Sequence, residues 1–172
     1  MEISQDGRQP DFGPAQMHPS AGAVAVGARP FLIAYNINLA STEIELARRI
    51  ARRVRESGGG LPRVQAMGVA LTEPSCAQVS MNILDFSVTP LWLVWDTVRA
   101  EAAGDGLELR ESELIGLCPL AAFLAVADHA GFDPSASVED RCAAAAGYLH
   151  LRDFGQMQVL ELRLAAAQRG DG

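Results

Sequence analysis

Residues Asp11 to Asn38 read DFGPAQMHPSAGAVAVGARPFLIAYNIN. The first half carries Gly13, Pro14, Pro19, Gly22 and Gly27, spaced too closely for a helix or a long strand. The second half opens at Pro30 into the clearest strand of the chain. Phe31 to Leu39, FLIAYNINL, is rich in β-formers and is bounded by Pro30 and Ser41. The expectation is a ligand-binding loop that feeds the first strand of a supporting domain.

Outward from that strand the pattern is regular. Thr42 and Glu45 have capping-box spacing, and Ile44, Ala47, Ile50, Ala51 and Val54 recur at helical period up to Gly58-Gly59-Gly60. Val64 to Thr72 and Ala77 to Phe86 read as two strands, with Glu73-Pro74-Ser75 as the turn of an antiparallel hairpin. Thr89-Pro90 reads as an N-cap with proline at the first helical position, opening a helix through Leu91, Val94, Trp95, Val98 and Ala102. A fourth strand runs from about Leu107 to Leu117. The order β-α-β-β-α-β predicts an α+β, ferredoxin-like antiparallel sheet with helices on one face. Helices over Leu120 to His129, Val138 to Tyr148 and within Phe154 to Ala167 follow it. Residues 1–10 read as a tail or linker stump, 11–29 as a lead-in segment and 30–170 as one domain.

Strand alternation assigns the faces. Asn36 and Asn38 share one side of the first strand, and Gln78, Ser80 and Asn82 share one side of the third. Packing Val79, Met81 and Ile83 on the helices leaves an amide-rich open face. Asn is depleted in strands, and amides offer both donors and acceptors to a pterin-like or amino-acid ligand. Ordinary solvent-facing polar positions fit the same residues. Ala66, Gly68 and Ala70 of the second strand are expected to add only small side chains to this face.

The composition narrows the chemistry. Net charge is −7 and the third strand (AQVSMNIL) has no aromatics where base stacking needs them, which argues against a nucleic-acid binder. All fourteen basic residues are Arg, so lysine chemistry is excluded. The arginine run Arg48, Arg49, Arg52, Arg53 and Arg55 suits a solvated face paired partly with Glu43, Glu45 and Glu56. Cys76, Cys118 and Cys142 and the three histidines are too dispersed for a metal site, and no apolar run reaches the length of a membrane span. A reduced, cytoplasmic protein without metal is expected. His18 suits a donor or acid/base group as well as a loop residue without a role; His129 and His150 suit structural positions. Arg29 suits either a ligand carboxylate or a surface position at the strand edge. Asp85 and Glu113 lie near strand ends, with nothing to make them a pair.

DFGP…HPSAGAVAVGARPFLIAYNINL, GGGLPRVQAMGV, AQVSMNILDFSVTPL, SELIGLCPL and YLHLRDF…QVLELRL resemble glutamate formiminotransferase, the formiminotransferase part of formiminotransferase-cyclodeaminase in animals. The resemblance covers the chain from about Asp11 to near its end and is to the C-terminal subdomain with its lead-in. It implies transfer of a formimino group from N-formimino-L-glutamate to tetrahydrofolate in histidine degradation. Tetrahydrofolate acts there as a substrate, bound between two ferredoxin-like subdomains. The family's folate-binding segment falls on Gly13, Pro14, Ala15, Gln16, Met17, His18, Pro19, Ser20, Ala21 and Gly22. The resemblance further implies that the catalytic histidine belongs to an N-terminal subdomain outside the matched residues. This chain is therefore expected to be inactive alone, and a separate N-terminal subdomain would be its partner. A non-catalytic folate or amino-acid binding module and a remnant kept as an interaction surface are the alternatives. A homo-oligomer is compatible with the sequence. The chain departs from the family at Trp92, where His is common, and at Glu111, where Gly is usual and where a change in a local turn is expected.

Overall fold

A computed structural model describes residues 10–14 and 16–170. Ala15 of the lead-in and residues 1–9 of the expected tail lie outside the described residues. Nine longer elements follow one another: β1 (Ile33–Leu39), α1 (Ile44–Val54), β2 (Val64–Leu71), β3 (Cys76–Ile83), α2 (Leu91–Gly104), β4 (Leu109–Ile115), α3 (Leu120–His129), α4 (Val138–Tyr148) and α5 (Leu160–Arg169). The fold is α+β. Its four-stranded sheet has the order β2-β3-β1-β4, and all three neighbouring pairs are antiparallel.

The core forms where the period of two in the strands meets the period of 3.6 in the helices. Ile33, Tyr35, Ile37 and Leu39 of β1 are fully buried, with Val79, Met81 and Ile83 of β3 beside them. They share one apolar cluster with Ala47, Ile50 and Val54 of α1 and Leu91, Val94, Trp95 and Val98 of α2. Burying each such branched aliphatic side chain contributes about 1.5–3 kcal/mol, so this layer fixes which side of the sheet faces inward.

Register then corrects one expectation. Gly68 pairs with Val79, and Val79 with Ile37, so Ala66, Gly68 and Ala70 lie on the helix side of the sheet. A Cβ added at Gly68 would sit 2.5 Å from the Arg48 nitrogen and 2.8 Å from the Ala47 carbonyl carbon. The small residues of β2 let α1 approach the sheet; they do not open a ligand face. Gly68→Ala is therefore expected to lower stability by about 1–2 kcal/mol through overpacking against backbone, as read by urea unfolding. An unchanged midpoint would mean that α1 moves freely.

Two helix starts also differ from the sequence pattern. Glu43, not Thr42, is the N-cap of α1, and Ser41 Oγ accepts from Glu43 N at 3.1 Å, so no capping box forms. Pro90 caps α2, and Thr89 is buried with its hydroxyl donating to the Pro62 carbonyl at 2.6 Å. A tertiary bond takes the side chain that local chemistry would have used as a cap. The arginines of α1 likewise reach across space. Arg49 pairs with Asp105 at 3.0 Å and Arg53 with Glu101 at 2.9 Å, tying α1 to the end of α2, while Arg48 pairs with Glu45.

After α4 the chain runs along the free edge of β4. Ser112 N donates to the His150 carbonyl, and Arg152 N donates to the Ser112 carbonyl, each at 2.9 Å. Ser112 Oγ adds a bond to the Leu149 carbonyl at 2.5 Å. This strap covers an edge that would otherwise present unpaired backbone groups. It also delivers Arg152 to the side of the sheet away from the helices.

Candidate functional site

The outer face is built from residues of alternate parity in four strands. Cross-strand register places Met67, Ser80, Asn36 and Glu113 in one row. Val69, Gln78, Asn38 and Glu111 form the next. Side chains opposite one another in such rows lie close enough to bond.

A connected polar network results. Asn36 Nδ2 donates to Glu113 Oε1 at 3.2 Å, and Asn38 Nδ2 donates to Glu111 Oε1 at 3.0 Å. Gln78 Nε2 donates both to Asn38 Oδ1 and to Glu113 Oε1, at 2.8 Å each. Arg152 closes it from the strap, with Nη1 on Glu111 Oε1 at 3.2 Å and Nη2 on Glu113 Oε2 at 2.5 Å. Desolvation pulls against the Arg152 charge, yet Glu113 and then Glu111 hold its guanidinium above the ordinary arginine value. Asn38 is fully buried, and Asn36 and Gln78 nearly so, while Ser80 and Asn82 stay half-buried toward β2. The face is thus closed by its own network on the β1–β4 side and open on the β2 side.

Strand parity makes Glu111 and Glu113 legible as face residues. Glu111 lies inside β4, beside a register shift in which Asn38 pairs with Glu111 and Leu39 with Leu109, so the local feature there is a strand irregularity and not a turn. Arg152 carries no such signal, because it reaches the network from 39 and 41 residues away. Asp85 stays apart from Glu113, in a local turn in which Ser87 N and Oγ donate to it. Those bonds, the side-chain one first, hold its carboxyl below the usual range.

The lead-in is a separate structure. His18 Nδ1 accepts from Ala21 N at 3.0 Å and from Ser20 N at 3.3 Å, with Ser20 Oγ also at 3.3 Å. Gly22 N donates to the His18 carbonyl at 3.0 Å, and Gly22 takes a left-handed φ of +69°. An Nδ1 that accepts backbone N–H groups leaves the proton of the neutral ring on Nε2, free to donate outward. The turn closes a cavity of about 420 Å³ lined by Phe12, Pro14, Gln16, Met17, His18 and Pro19, among others. None of its lining residues belongs to the sheet, and Phe12, Val24 and Val26 are almost fully exposed. Arg29 is exposed, donates to the Pro30 carbonyl at 3.3 Å and lines a different hollow, so the structure brings it to neither place.

The other histidines are occupied. His129 stacks on Trp92 with centroids 3.9 Å apart and lies 3.4 Å from Asp96, whose carboxylate accepts from Tyr148 Oη at 3.0 and 2.9 Å. His150 packs on Trp95 at 5.0 Å. The three cysteines are free and buried, and burial pushes each thiol up, Cys142 to about 11. None of them is a ready thiolate at neutral pH. Among the described residues no group of His, Cys, Asp and Glu side chains converges as metal ligands, and no helix is long and apolar enough to cross a membrane.

Comparison with known proteins gives this arrangement a family. The family model described as "Formiminotransferase domain" matches residues 34–140. A glutamate formimidoyltransferase of Streptococcus pyogenes is 42% identical over 156 residues, which cover 90% of this chain and 46% of that protein. One from Thermoplasma acidophilum is 38% identical over 165 residues, 96% of this chain and 48% of that protein. The formimidoyltransferase-cyclodeaminase of Rattus norvegicus is 50% identical over 121 residues, 67% of this chain and 22% of that protein. The chain spans about half the length of the two microbial relatives and less of the animal one. With the matched residues running from β1 into α4, the chain belongs to the formiminotransferase domain family.

Proposed function

We propose that the chain is the folate-contacting half of a glutamate formimidoyltransferase, acting on N-formimino-L-glutamate and tetrahydrofolate in the cytoplasm, with a ferredoxin-like sheet as its scaffold. One observation carries the folate assignment. The segment that resembles the family's folate-binding stretch is the one that folds into its own turn around His18 and lines a cavity. In this reading backbone groups of Gly13 to Gly22 hold the pterin, and His18 Nε2–H donates to it. The half-open row of Ser80 and Asn82 receives the rest of the ligand. The element order and the strand order β2-β3-β1-β4 support the ferredoxin-like layout, and buried, unpaired cysteines support a reducing compartment.

The protein's contribution to transfer is proximity and orientation, which supply a large part of the acceleration in a two-substrate reaction. Folate N5 attacks the formimino carbon, and the glutamate nitrogen leaves with a proton. A group to deliver that proton is the contribution we assign to a separate N-terminal subdomain. A second reading, a non-catalytic binding module, is favoured by the placement of His129 and His150 against tryptophans, away from the outer face.

Titration of the purified chain with 5-formyltetrahydrofolate, followed by calorimetry, is expected to give saturable binding below millimolar ligand. His18→Ala is expected to weaken it about tenfold, roughly 1.4 kcal/mol, by removing the acceptor that shapes the turn. Absence of heat and of any chemical-shift change at millimolar ligand would sink the folate assignment.

A further inference from the structure

Arg55 is held in place by the backbone on both sides of it. It is the C-cap of α1 with extended φ and ψ, and its carbonyl accepts from Gly58 N at 3.0 Å and Gly60 N at 3.1 Å. A Cβ at Gly58 would meet the Arg52 carbonyl oxygen at 1.8 Å, and one at Gly60 would meet those of Arg53 and Val54 at 2.2 and 2.5 Å, so this turn needs its glycines. The consequence is a half-buried arginine side chain at the outer edge of β2.

Its guanidinium is unusual among those of α1. Arg48, Arg49 and Arg53 are each paired with a carboxylate, and Arg52, which has no side-chain partner among the described residues, is exposed to solvent where Arg55 is half-buried. Arg55 makes no hydrogen bond or ion pair to any side chain among the described residues, and its Nε is buried without a partner. A buried N–H donor left unsatisfied is costly, and native structures pair nearly all of them. The Arg55 side chain lines two hollows, one on each side of it. One cavity, of about 330 Å³, is lined by Arg55 with Gln65, Met67, Ser80 and Asn82 on the outer face. The other, of about 320 Å³, lies toward Glu56 and Ser57. The outer-face cavity offers amide and hydroxyl donors and no carboxylate. The second holds the competing charge of Glu56, which is exposed to solvent.

We propose that Arg55, with Gln65, Ser80 and Asn82, anchors the carboxylate of a glutamyl ligand at the β2 edge of the outer face. A planar guanidinium matches a carboxylate through two parallel N–H···O bonds, and amide N–H groups complete the remaining lone pairs. The inference deepens the function proposed above, since formiminoglutamate and the folate tail both carry that group. It transfers the carboxylate role from Arg29, which lines another hollow and spends one donor on its neighbour.

The test is an NMR titration of the whole chain with L-glutamate, following the side-chain amides of Gln65 and Asn82. The expected result is a saturable shift of both amides with L-glutamate, none with glutaramide, and loss of the response in Arg55→Gln. Arg55→Lys keeps the charge without the fork and is expected to weaken binding several-fold, which also serves if Arg55→Gln fails to fold. No shift at tens of millimolar glutamate, an equal response to glutaramide, or an unaltered response in the variants would overturn the proposal. A parallel titration with 6-methyltetrahydropterin, which has no carboxylate, reports on the pterin site alone. Its failure counts against the folate assignment and leaves the Arg55 result standing.

Discussion

Replacing Arg152 by alanine is expected to lower the stability of the domain by about 2–3 kcal/mol, the value for breaking a buried pair discounted for partial exposure. Among the described residues Arg152 alone supplies positive charge to Glu111 and Glu113 in the network, at 3.2 and 2.5 Å. Without it two carboxylates share one face with only amide donors between them. No guanidinium then offsets their repulsion. Salt screens both the lost ion pairs and this repulsion, so the deficit is expected to be smaller at about 1 M NaCl than at about 0.1 M. Glu111→Gln keeps an acceptor for the buried Asn38 amide while removing one charge. In that background the cost of Arg152→Ala is expected to shrink to about 1 kcal/mol. Urea unfolding of the four proteins at both salt concentrations checks this. A salt-independent deficit, or full additivity, would mean that Arg152 acts through packing and not through charge.

The network also marks where sequence reading stops. Alternation in FLIAYNINL and AQVSMNIL was enough to put Asn36, Asn38 and Gln78 on one face, because period-two patterning is local and the buried partners are aliphatic. The same parity rule failed for β2. Its residues Ala66, Gly68 and Ala70 look neutral, and only the close approach of α1 to Gly68 decides which side they take. Thr42 and Thr89 obeyed local capping rules on paper and lost to a neighbouring serine and to the Pro62 carbonyl. Arg152 and Arg55 were invisible for a different reason. Each acts at the far end of a flexible side chain, from a strap and from a helix cap, and no periodicity encodes that reach. His150 and Asp153, both at positive φ, frame the turn that throws Arg152 over β4. Non-glycine residues rarely adopt that geometry, and tertiary contacts hold it here, with His150 seated on Trp95.

Mixed with N-formimino-L-glutamate and tetrahydrofolate, this chain alone is expected to transfer the formimino group no faster than buffer does. The reason lies in where its proton carriers sit. His129 is stacked on Trp92, His150 packs on Trp95, and His18 spends Nδ1 on the backbone of its own turn and, in the proposed reading, Nε2–H on the pterin. Glu111 and Glu113 reach the outer face, but their oxygens accept from Arg152, Asn36, Asn38 and Gln78. Both carboxylates serve as ion-pair partners of Arg152 within the network and not as groups turned toward a ligand. Positioned acid–base groups contribute typically 10²–10⁴-fold, so the shortfall should be restored by about that factor when such a group is supplied in trans. The part of a bacterial glutamate formimidoyltransferase that lies outside the match is the natural donor. Absorbance of the folate product, followed with each polypeptide alone and with both, separates the outcomes. Acceleration by the mixture only, lost on deleting residues 11–29, places the folate segment in the working site. Transfer by this chain alone at more than about tenfold over buffer would require a proton path through the outer face, with Arg152 released from at least one of its two glutamates.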